Sequence, residues 1–394
     1  MSRAWPTVKL GDVCSFKYGQ MPKPSDLAES GFPIFTGYRT VGSAKRFHFR
    51  EPQIVVVARG VGGTGDVKMS PRCCFLTNLS IAVLVESSRV DKHFLFYRLG
   101  SKRLWALRTG SAQAQITIEH LREHEVGMPE IATQRRIASI LTAYDDLIES
   151  CQRRIRILEE MARGLYREWF VHFRFPSADN LPPVDSPLGP IPQGWEVKLL
   201  SDCVAVNPRV VVPREGEKPF VPMGCLANNS MLIADVESRT GNSGAKFANG
   251  DTLFARITPC LENGKTGFVQ FLGADNPVAF GSTEFIVLRA RTVTPEFVYL
   301  LARSDDFRAN AIKSMSGASG RQRVQERCFD AYRLVEPTQQ VLERFSAVVR
   351  PMFQQVQRLH HKITNLRRTR DLLLPRLMSG QLDLRSAETG TAAP

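Results

Sequence analysis

Two stretches of the chain, 208 residues apart, carry the same apolar pattern in the same register. The first stripe consists of Ile137, Leu141, Tyr144, Ile148, Cys151, Ile155, Leu158, Ala162, Leu165 and Trp169. The second consists of Phe345, Val349, Met352, Val356, Leu359, Ile363, Leu366, Arg370, Leu373 and Leu377. The spacing alternates between four and three residues, which is the heptad pattern of a coiled coil. The sequence therefore predicts two long helices whose apolar seam is interrupted only at Arg370.

The segments that precede these helices also resemble each other. The corresponding stretches are 5–14 with 195–204, 54–59 with 252–257, and 81–84 with 285–288. In both segments, short runs rich in Val, Ile and Phe alternate with turn residues and brief helical stretches. This pattern predicts an α+β fold, with two α/β globular domains in a pseudo-twofold internal repeat, and not a regular βαβ series.

Composition and repeats divide the chain into six predicted segments. The stretch from 176 to 194 holds six prolines and two glycines, which is typical of a linker. The segments are a first globular domain at 1–130, a spacer helix at 131–175, a linker at 176–193, a second globular domain at 194–336, a second spacer helix at 337–384 and a disordered tail at 385–394.

Chain order constrains how the two helices pack. The second globular domain begins after the first helix and ends where the second helix begins, so its two ends meet only if those helix ends are adjacent. The helices are therefore expected to be antiparallel, with the globular domains at opposite ends. Residues 137–169 would span about 48 Å at a rise of about 1.5 Å per residue. A compact bundle is the alternative that periodicity leaves open.

The chain of 394 residues carries 52 Lys and Arg against 39 Asp and Glu, giving a net charge of +13. This excess favours an anionic partner, although charge alone does not identify nucleic acid. The excess lies mainly in the first globular segment. Residues 1–130 hold 18 basic against 11 acidic residues (+7), whereas residues 194–336 hold 17 against 16 (+1).

Composition also limits the setting of the protein. No run of about 18 apolar residues is present, so no membrane span is expected. The N-terminal residues lack an apolar signal-peptide core, which predicts a cytoplasmic protein. The eight cysteines are scattered without metal-site spacing, which favours reduced thiols over disulfides or zinc.

The ends of the two helices resemble a known family. Residues 165–176 read Leu-Tyr-Arg-Glu-Trp-Phe-Val-His-Phe-Arg-Phe-Pro, and residues 372–384 read Leu-Leu-Leu-Pro-Arg-Leu-Met-Ser-Gly-Gln-Leu-Asp-Leu. Residues 190–195, Pro-Ile-Pro-Gln-Gly-Trp, open the second half. These stretches look like the conserved-region signatures of the specificity subunits of type I restriction–modification systems, and the likeness in order and spacing covers nearly the whole chain.

The resemblance implies a function divided between subunits. Each globular domain would be a target-recognition domain that reads one half of a split, asymmetric double-stranded DNA sequence, and the antiparallel helices would be the spacer. Two methyltransferase subunits would bind the chain and transfer a methyl group from S-adenosylmethionine to adenine N6. Restriction subunits with translocase activity would complete the complex. The chain itself would have no catalytic site, cofactor or metal.

Three apparent catalytic motifs fail on inspection. Gly60–Gly65 matches G-x-G-x-x-G, but the following residues do not predict the helix that a dinucleotide site needs, and a glycine-rich hairpin is expected instead. Residues 264–266 resemble the end of a phosphate-binding loop, yet Pro259 stands where its first glycine is required. Residues 120–124 fit H-x-x-E-H, but Pro129 soon ends the helical stretch. No amino-methyltransferase motif is present.

Base reading requires donor and acceptor side chains on loops that reach the major groove, and phosphate anchoring requires Lys, Arg and backbone amides. Arg59 and Arg256 recur at strand ends in both halves and are the strongest candidates. The predicted DNA contacts are Lys45, Arg46, Arg59, Thr64, Lys68, Gln113 and Gln115 in the first domain, and Arg256, Thr258, Asn263, Lys265, Arg321, Gln322 and Arg323 in the second. For each, a solvated surface role is the alternative.

Three hypotheses follow from the sequence. The first is a non-catalytic DNA-recognition subunit, the second is a coiled-coil adaptor that joins two protein-binding modules, and the third is a nuclease or methyltransferase with its own active site. Basic charge and the repeated arginines favour the first over the second. The failed motifs disfavour the third.

Overall fold

The computed structural model describes residues 5–60, 63–101, 104–109, 114–176, 178, 181–318 and 320–382. The chain forms two compact units. The first unit is Met1–Ile148 together with Asn365–Pro394, and the second unit is Glu149–Thr364. Each long helix contributes one part to each unit, so the units do not follow the linear segments predicted from the sequence. The predicted tail at 385–394 lies outside the described residues.

Short strands and two very long helices make up most of the described chain. The strands are β1 (Thr7–Lys9), β2 (Cys14–Tyr18), β3 (Leu27–Ala28), β4 (Phe32–Phe35), β5 (Thr40–Ala44), β6 (Ile54–Val57), β7 (Val67–Met69), β8 (Phe75–Leu76), β9 (Ser80–Val85), β10 (Glu125–Gly127), β11 (Pro183–Val184), β12 (Ile191–Pro192), β13 (Glu196–Leu199), β14 (Val204–Val206), β15 (Lys218–Val221), β16 (Glu237–Arg239), β17 (Ala245–Ala248), β18 (Thr252–Ala255), β19 (Thr266–Phe268), β20 (Val278–Gly281), β21 (Phe285–Ala290) and β22 (Arg333–Glu336). The helices are α1 (Lys92–Ser101), α2 (Ile118–Glu123), α3 (Ile131–Tyr166), α4 (Leu200–Cys203), α5 (Pro295–Arg303), α6 (Asp305–Lys313) and α7 (Gln339–Met378). Among the described helices, none combines the length and apolar character needed to cross a membrane.

The first unit contains two four-stranded sheets. One is antiparallel throughout, in the order β2-β9-β6-β7, and its central strand β6 is buried along its whole length. The other has the order β3-β5-β4-β8, in which β4 and β8 run parallel. A separate pair, β1 with β10, precedes α3. Buried on both faces, β6 reads as the continuous apolar run Ile-Val-Val-Val, as a central strand should.

The second unit repeats this plan. Its antiparallel sheet has the order β14-β21-β18-β19, so β18 and β21 occupy the places of β6 and β9. Its other sheet, β16-β15-β20-β17, also contains one parallel pair, β15 with β20. The pair β13 with β22 matches β1 with β10. The predicted α+β architecture with an internal repeat is therefore confirmed.

Segments of both long helices complete the core of each unit. In the first unit, Leu141 near the start of α3 shares a buried cluster with Leu377 at the end of α7. In the second unit, Trp169 and Phe170, in a π-helical turn after α3, lie 5.6 and 4.7 Å from the ring of Phe345 near the start of α7. The start of one helix thus meets the end of the other, which is the predicted antiparallel order.

Glycine is favoured at position 380, just after the end of α7, for two physical reasons. Its φ of +69° lies in the left-handed region, where glycine carries no steric penalty, and its amide donates to the carbonyl oxygen of Leu377. A Cβ at this position would also lie only 2.9 Å from Nε1 of Trp5. A side chain here would therefore disturb both the helix end and its packing in the first unit.

Arg370, the single interruption of the apolar seam, has a partner on the other long helix. Its guanidinium forms an ion pair with Asp145 of α3, and it also contacts the neighbouring Asp371. The second carboxylate oxygen of Asp145 accepts from the hydroxyl of Tyr97 in α1, at 2.6 Å. Burial raises the pKa of Tyr97, so the hydroxyl remains a donor. One carboxylate therefore links three helices within the first unit.

We expect Asp145→Ala to lower the free energy of unfolding by about 1–2 kcal/mol, because Tyr97 and Arg370 both lose their acceptor. Denaturant unfolding would measure the change. Glu149→Ala on the same helix is the matched control, since Glu149 pairs only with the exposed Arg153 one turn away. Its loss should stay below about 0.5 kcal/mol. Equal, small effects of both substitutions would contradict the linking role of Asp145.

Candidate nucleic-acid interface

β6 and β7 pair antiparallel and form the hairpin that the sequence predicts, although residues 61 and 62 of its loop lie outside the described residues. The amide of Gly65 donates to the carbonyl oxygen of Val57 at 2.9 Å, and the chain returns as β7 without a helix. Gly63 lies flat against the ring of Tyr38, and a Cβ there would approach a ring carbon to 2.1 Å. A side chain at this position would therefore have to displace the ring of Tyr38.

Thr64 supports the hairpin from inside. Its side chain is buried, and its hydroxyl lies 3.2 Å from the carbonyl oxygen of Gly60 and 3.3 Å from that of Ala114. Its own carbonyl oxygen accepts from Nε of Arg108 at 2.7 Å, and that guanidinium stacks 4.8 Å from the ring centroid of the half-exposed Trp105. Thr64, a predicted DNA contact, therefore turns its hydroxyl to the interior of the unit, and its contact with DNA stays a prediction.

Four of the predicted contacts in the first unit are available to an external partner. Lys45, Arg59, Lys68 and Gln115 are exposed and form no side-chain hydrogen bond or ion pair with the residues that the structure describes. Gln113 lies outside the described residues. These four predicted contacts thus present three cations and one amide to solvent.

Arg46 is held by a carboxylate. Its Nε donates to Oδ1 of Asp26 at 2.8 Å, and one Nη lies 3.3 Å from Oδ2. The guanidinium also lies 5.2 Å from the ring centroid of Phe75. The hydrogen bond from Arg46, followed by one from the amide of Lys23, lowers the pKa of Asp26 to about 2. Arg46 is exposed, but its charge is largely satisfied within the unit.

We expect Arg46→Ala to raise the pKa of Asp26 towards its ordinary value of 3.8. The folded pKa of about 2 lies below this value, so the pair stabilises the unit fully above about pH 4 and loses its effect as pH falls to 2. The variant should therefore lose less stability than the wild type across this interval. Carboxyl NMR titration and acid unfolding measure both effects. Arg72→Ala, which breaks the exposed pair with Glu51, should leave the Asp26 titration unchanged.

Strand register shows that Arg59 and Arg256 do not occupy equivalent positions. The amide of Arg256 donates to the carbonyl oxygen of Glu284, as the amide of Ala58 donates to that of Leu79. Arg256 therefore corresponds to the buried Ala58, and Arg59 corresponds to the next residue of the second unit. Successive residues of an extended chain face opposite ways, so the shift by one residue turns the two arginines to different sides. The predicted recurrence is corrected accordingly.

Arg256 is engaged within the second unit. One Nη donates to Oε1 of Glu326 at 2.8 Å and the other to the carbonyl oxygen of Val324 at 3.1 Å. Oε2 of Glu326 accepts from Nδ2 of Asn207 at 2.9 Å, and Oδ1 of Asn207 accepts from the amide of Val287. A carboxylate and a backbone carbonyl oxygen thus fix the guanidinium beside the end of β18, and Asn207 holds that carboxylate.

Arg323 has a similar partner. It contacts both carboxylate oxygens of Glu284, with distances of 2.7–3.0 Å, and these hydrogen bonds lower the pKa of Glu284. Thr258 is buried, and its Oγ1 accepts from the backbone amide of Gln322 at 3.0 Å. The hydroxyl of Thr258, a predicted DNA contact, therefore holds a neighbouring segment, and its contact with DNA stays a prediction. Arg321 is exposed, and its side chain has no partner among the described residues.

Two arginines hold the loop between β18 and β19 from behind. Arg308 of α6 donates to the carbonyl oxygens of Leu261 and Glu262, at 3.2 and 3.1 Å. Arg303 of α5 donates to the carbonyl oxygen of Gly264. The loop presents Asn263, which is exposed. The predicted contact Lys265, in contrast, is half-buried and donates to the carbonyl oxygen of Met223 at 3.0 Å.

We expect Arg308→Ala to loosen this loop, because the carbonyl oxygens of Leu261 and Glu262 each lose a donor, and Leu261 keeps only the amide of Gly264. Hydrogen exchange at the amides of Asn263 and Gly264 should become at least about tenfold faster, which corresponds to a loss of about 1.4 kcal/mol of local stability. Arg239→Ala removes an exposed arginine of the same unit that pairs with Glu237, and it should leave these amides unchanged. Unchanged exchange in Arg308→Ala would show that the loop does not depend on this contact.

A basic cleft of about 430 Å³ opens beside Arg256. Its polar lining includes Asn207, Arg209, Lys246 and Arg256, and Phe285 contributes an aromatic wall. The sequence reasoning did not identify Arg209 or Lys246. The signal for Arg209 is its place three residues after the short apolar run that forms β14. Lys246 lies within β17 and has no comparable signal.

The structure agrees with the rejection of two catalytic motifs. α2 ends at Glu123, and β10 follows at once, so residues 120–124 do not form one continuous helical face. β19 begins directly after Gly264 and Lys265, where a phosphate-binding loop would continue as a helix. Within the described parts of the chain, no group of three or more His, Cys, Asp and Glu residues is placed to hold a metal ion.

Two repeated α+β units with polar and basic loops define a duplicated two-domain binding protein. Residues 2–160 match a family model described as the type I restriction modification DNA specificity domain. The type I restriction enzyme MjaIX specificity subunit of Methanocaldococcus jannaschii is 24% identical over 357 residues, covering 85% of this chain and 78% of that protein. The EcoEI specificity subunit of Escherichia coli is 32% identical over 154 residues, covering 37% and 26%.

A solved structure supports the fold over nearly the full length. The crystal structure of a type I restriction-modification system S subunit from M. genitalium aligns with a TM-score of 0.64 at 16% identity, covering 95% of this chain and 96% of that one. The sequence matches and this fold agree that the chain is similar to type I restriction–modification specificity subunits. The resemblance seen in the helix ends is confirmed.

Proposed function

We propose that this chain is the DNA-recognition subunit of a type I restriction–modification complex. Each unit would read one half of a split, asymmetric duplex target. Two methyltransferase subunits would bind the chain and methylate adenine N6 with S-adenosylmethionine, and restriction subunits would join the complex. The chain itself would contribute sequence recognition and no catalytic group.

The observation that carries this proposal is a backbone arrangement repeated in both units. In the first unit, Gln115 forms isolated β-bridges to Arg59 and to Thr109. In the second, Arg323 forms the same two bridges, to Ile257 and to Ser316. One scaffold thus presents an exposed polar side chain at the same place in each unit, while the identity of that side chain differs. This is what two readers of different half-sites require.

The side chains at these places suit the two kinds of DNA contact. Gln115 carries the donor and acceptor pair that can recognise adenine in the major groove, and Arg323 carries the fork that can recognise guanine. Lys45, Arg59 and Lys68 are unpaired cations within the described part of the first unit, suited to phosphates. Phosphate contacts would position the subunit, and base contacts would specify the sequence.

We expect Gln115→Ala and Lys68→Ala to weaken DNA binding in different ways. Gln115→Ala should reduce discrimination at one base position by about 1–3 kcal/mol. Lys68→Ala should weaken binding to all duplexes and reduce the salt slope by about 1. The measurement is salt-dependent binding by the complex with its methyltransferase subunits. Two duplexes are compared. One carries the target sequence, which is identified from the methylated sites of host DNA, and the other carries a scrambled sequence.

Gln193→Ala is the matched control, since Gln193 is an exposed glutamine between the short strand β12 and β13. It should change neither the affinity nor the salt slope. A wild-type complex that binds the target and scrambled duplexes equally would overturn the proposed recognition function. It would favour an adaptor that joins protein-binding modules.

A further inference from the structure

The second unit carries a charged cluster where the first unit is mostly apolar. Backbone hydrogen bonds define the correspondence, because the amide of Val324 donates to the carbonyl oxygen of Arg256 as that of Ile116 donates to Ala58. The equivalent positions are Ala58, Leu79, Gln115 and Ile118 in the first unit, and Arg256, Glu284, Arg323 and Glu326 in the second.

The four charged residues form two ion pairs, and the opposite charges within each pair neutralise each other. Arg256 pairs with Glu326 at 2.8 Å, and Arg323 pairs with Glu284 at 2.7 Å. One partner of each pair is shielded, since the side chains of Arg256 and Glu284 are 24% and 22% exposed, whereas those of Glu326 and Arg323 are 41% and 47% exposed. Water therefore screens these pairs somewhat less than it screens pairs between two open surface residues. Both guanidiniums are thereby held in place, and little of their charge remains for a passing phosphate.

The distribution of charge along the chain agrees with this neutralisation. The excess of +7 in residues 1–130 contrasts with +1 in residues 194–336. Sequence-independent attraction to DNA depends on unpaired Lys and Arg that replace counterions. The first unit has such residues at Arg59 and Lys68, and the second has one at Arg321 but holds Arg256 and Arg323 in carboxylate pairs.

We propose that Glu284 and Glu326 are specificity-determining residues that keep the second unit from binding DNA of random sequence. This inference rests on the proposed recognition function and assigns these carboxylates a part in it. At a random site, a phosphate must displace a carboxylate from Arg256 or Arg323 and then lie beside that displaced negative charge. At the target half-site, base contacts to the released arginines compensate for the broken pairs.

The test compares Glu326→Gln and Glu284→Gln with the wild type, each assembled with the methyltransferase subunits. Glutamine keeps the size of the side chain and one acceptor oxygen but removes the charge. Each variant should bind a random-sequence duplex about fivefold more tightly near physiological salt, with a salt slope steeper by about 0.9. Binding to the target duplex should change less, so the ratio of the two affinities should fall.

Two controls separate this effect from a general change of charge or fold. Glu262→Gln removes an exposed carboxylate that forms no ion pair with the described residues, and it should leave the salt slope nearly unchanged. Adding Arg256→Met to Glu326→Gln should abolish the gain in random-duplex binding, because the gain requires the released arginine. Thermal unfolding of every variant shows whether the fold is retained.

The outcomes distinguish the inference from the function on which it rests. A wild-type complex without preference for any duplex would overturn the recognition function itself. If the wild-type complex discriminates between the duplexes and the glutamine variants bind the random duplex no more tightly than the wild type, only the proposed role of Glu284 and Glu326 is overturned. Altered base preference in Glu284→Gln without tighter random binding would make Glu284 a base reader, which also contradicts the inference. If Glu262→Gln tightens binding to the random duplex to the same degree, the effect is one of net charge alone, which also contradicts the inference.

Discussion

The apolar seam of the two long helices is the constraint on which the remaining structure depends. Short strands of two to six residues bury too little surface to be stable alone, and each unit relies on helix segments for part of its core. In the first unit, Leu377 and Met378 from the end of α7 lie in the same buried cluster as Leu10 and Val13 near the N-terminus. The first unit is therefore complete only when nearly the whole chain has been made.

The same dependence explains why the seam tolerates one charged residue. Arg370 enters an apolar stripe, and an unpaired guanidinium there would carry a large desolvation penalty. Asp145 on the facing helix supplies the compensating charge, and Tyr97 satisfies its other oxygen. A polar pair within an apolar seam favours the one register in which the partners meet. Arg370 is therefore compatible with the apolar seam, and its pair with Asp145 helps to fix the register of the two helices.

Features with a strong period could be predicted from the sequence, and features set by contacts between distant residues could not. The 4-3 spacing gave the long helices, and apolar runs gave β6, β9, β18 and β21. The burial of Thr64 and Thr258 has no periodic signal, because each depends on backbone groups that lie 50 and 64 residues away in the chain. The partner of Arg256 is likewise 70 residues distant.

The correction at Arg59 and Arg256 shows what a duplicated sequence does and does not specify. The strands recur with the same neighbours and the same register, so the backbone positions are equivalent one by one. Two arginines one position apart nevertheless face opposite ways, because side chains alternate along extended chain. One arginine reaches solvent, and the other meets Glu326. A repeat therefore conserves the places from which side chains are presented, and single substitutions at those places decide whether a unit carries free cations or ion pairs. Two units of one fold can in this way differ in how they attract DNA without any change in their sheets.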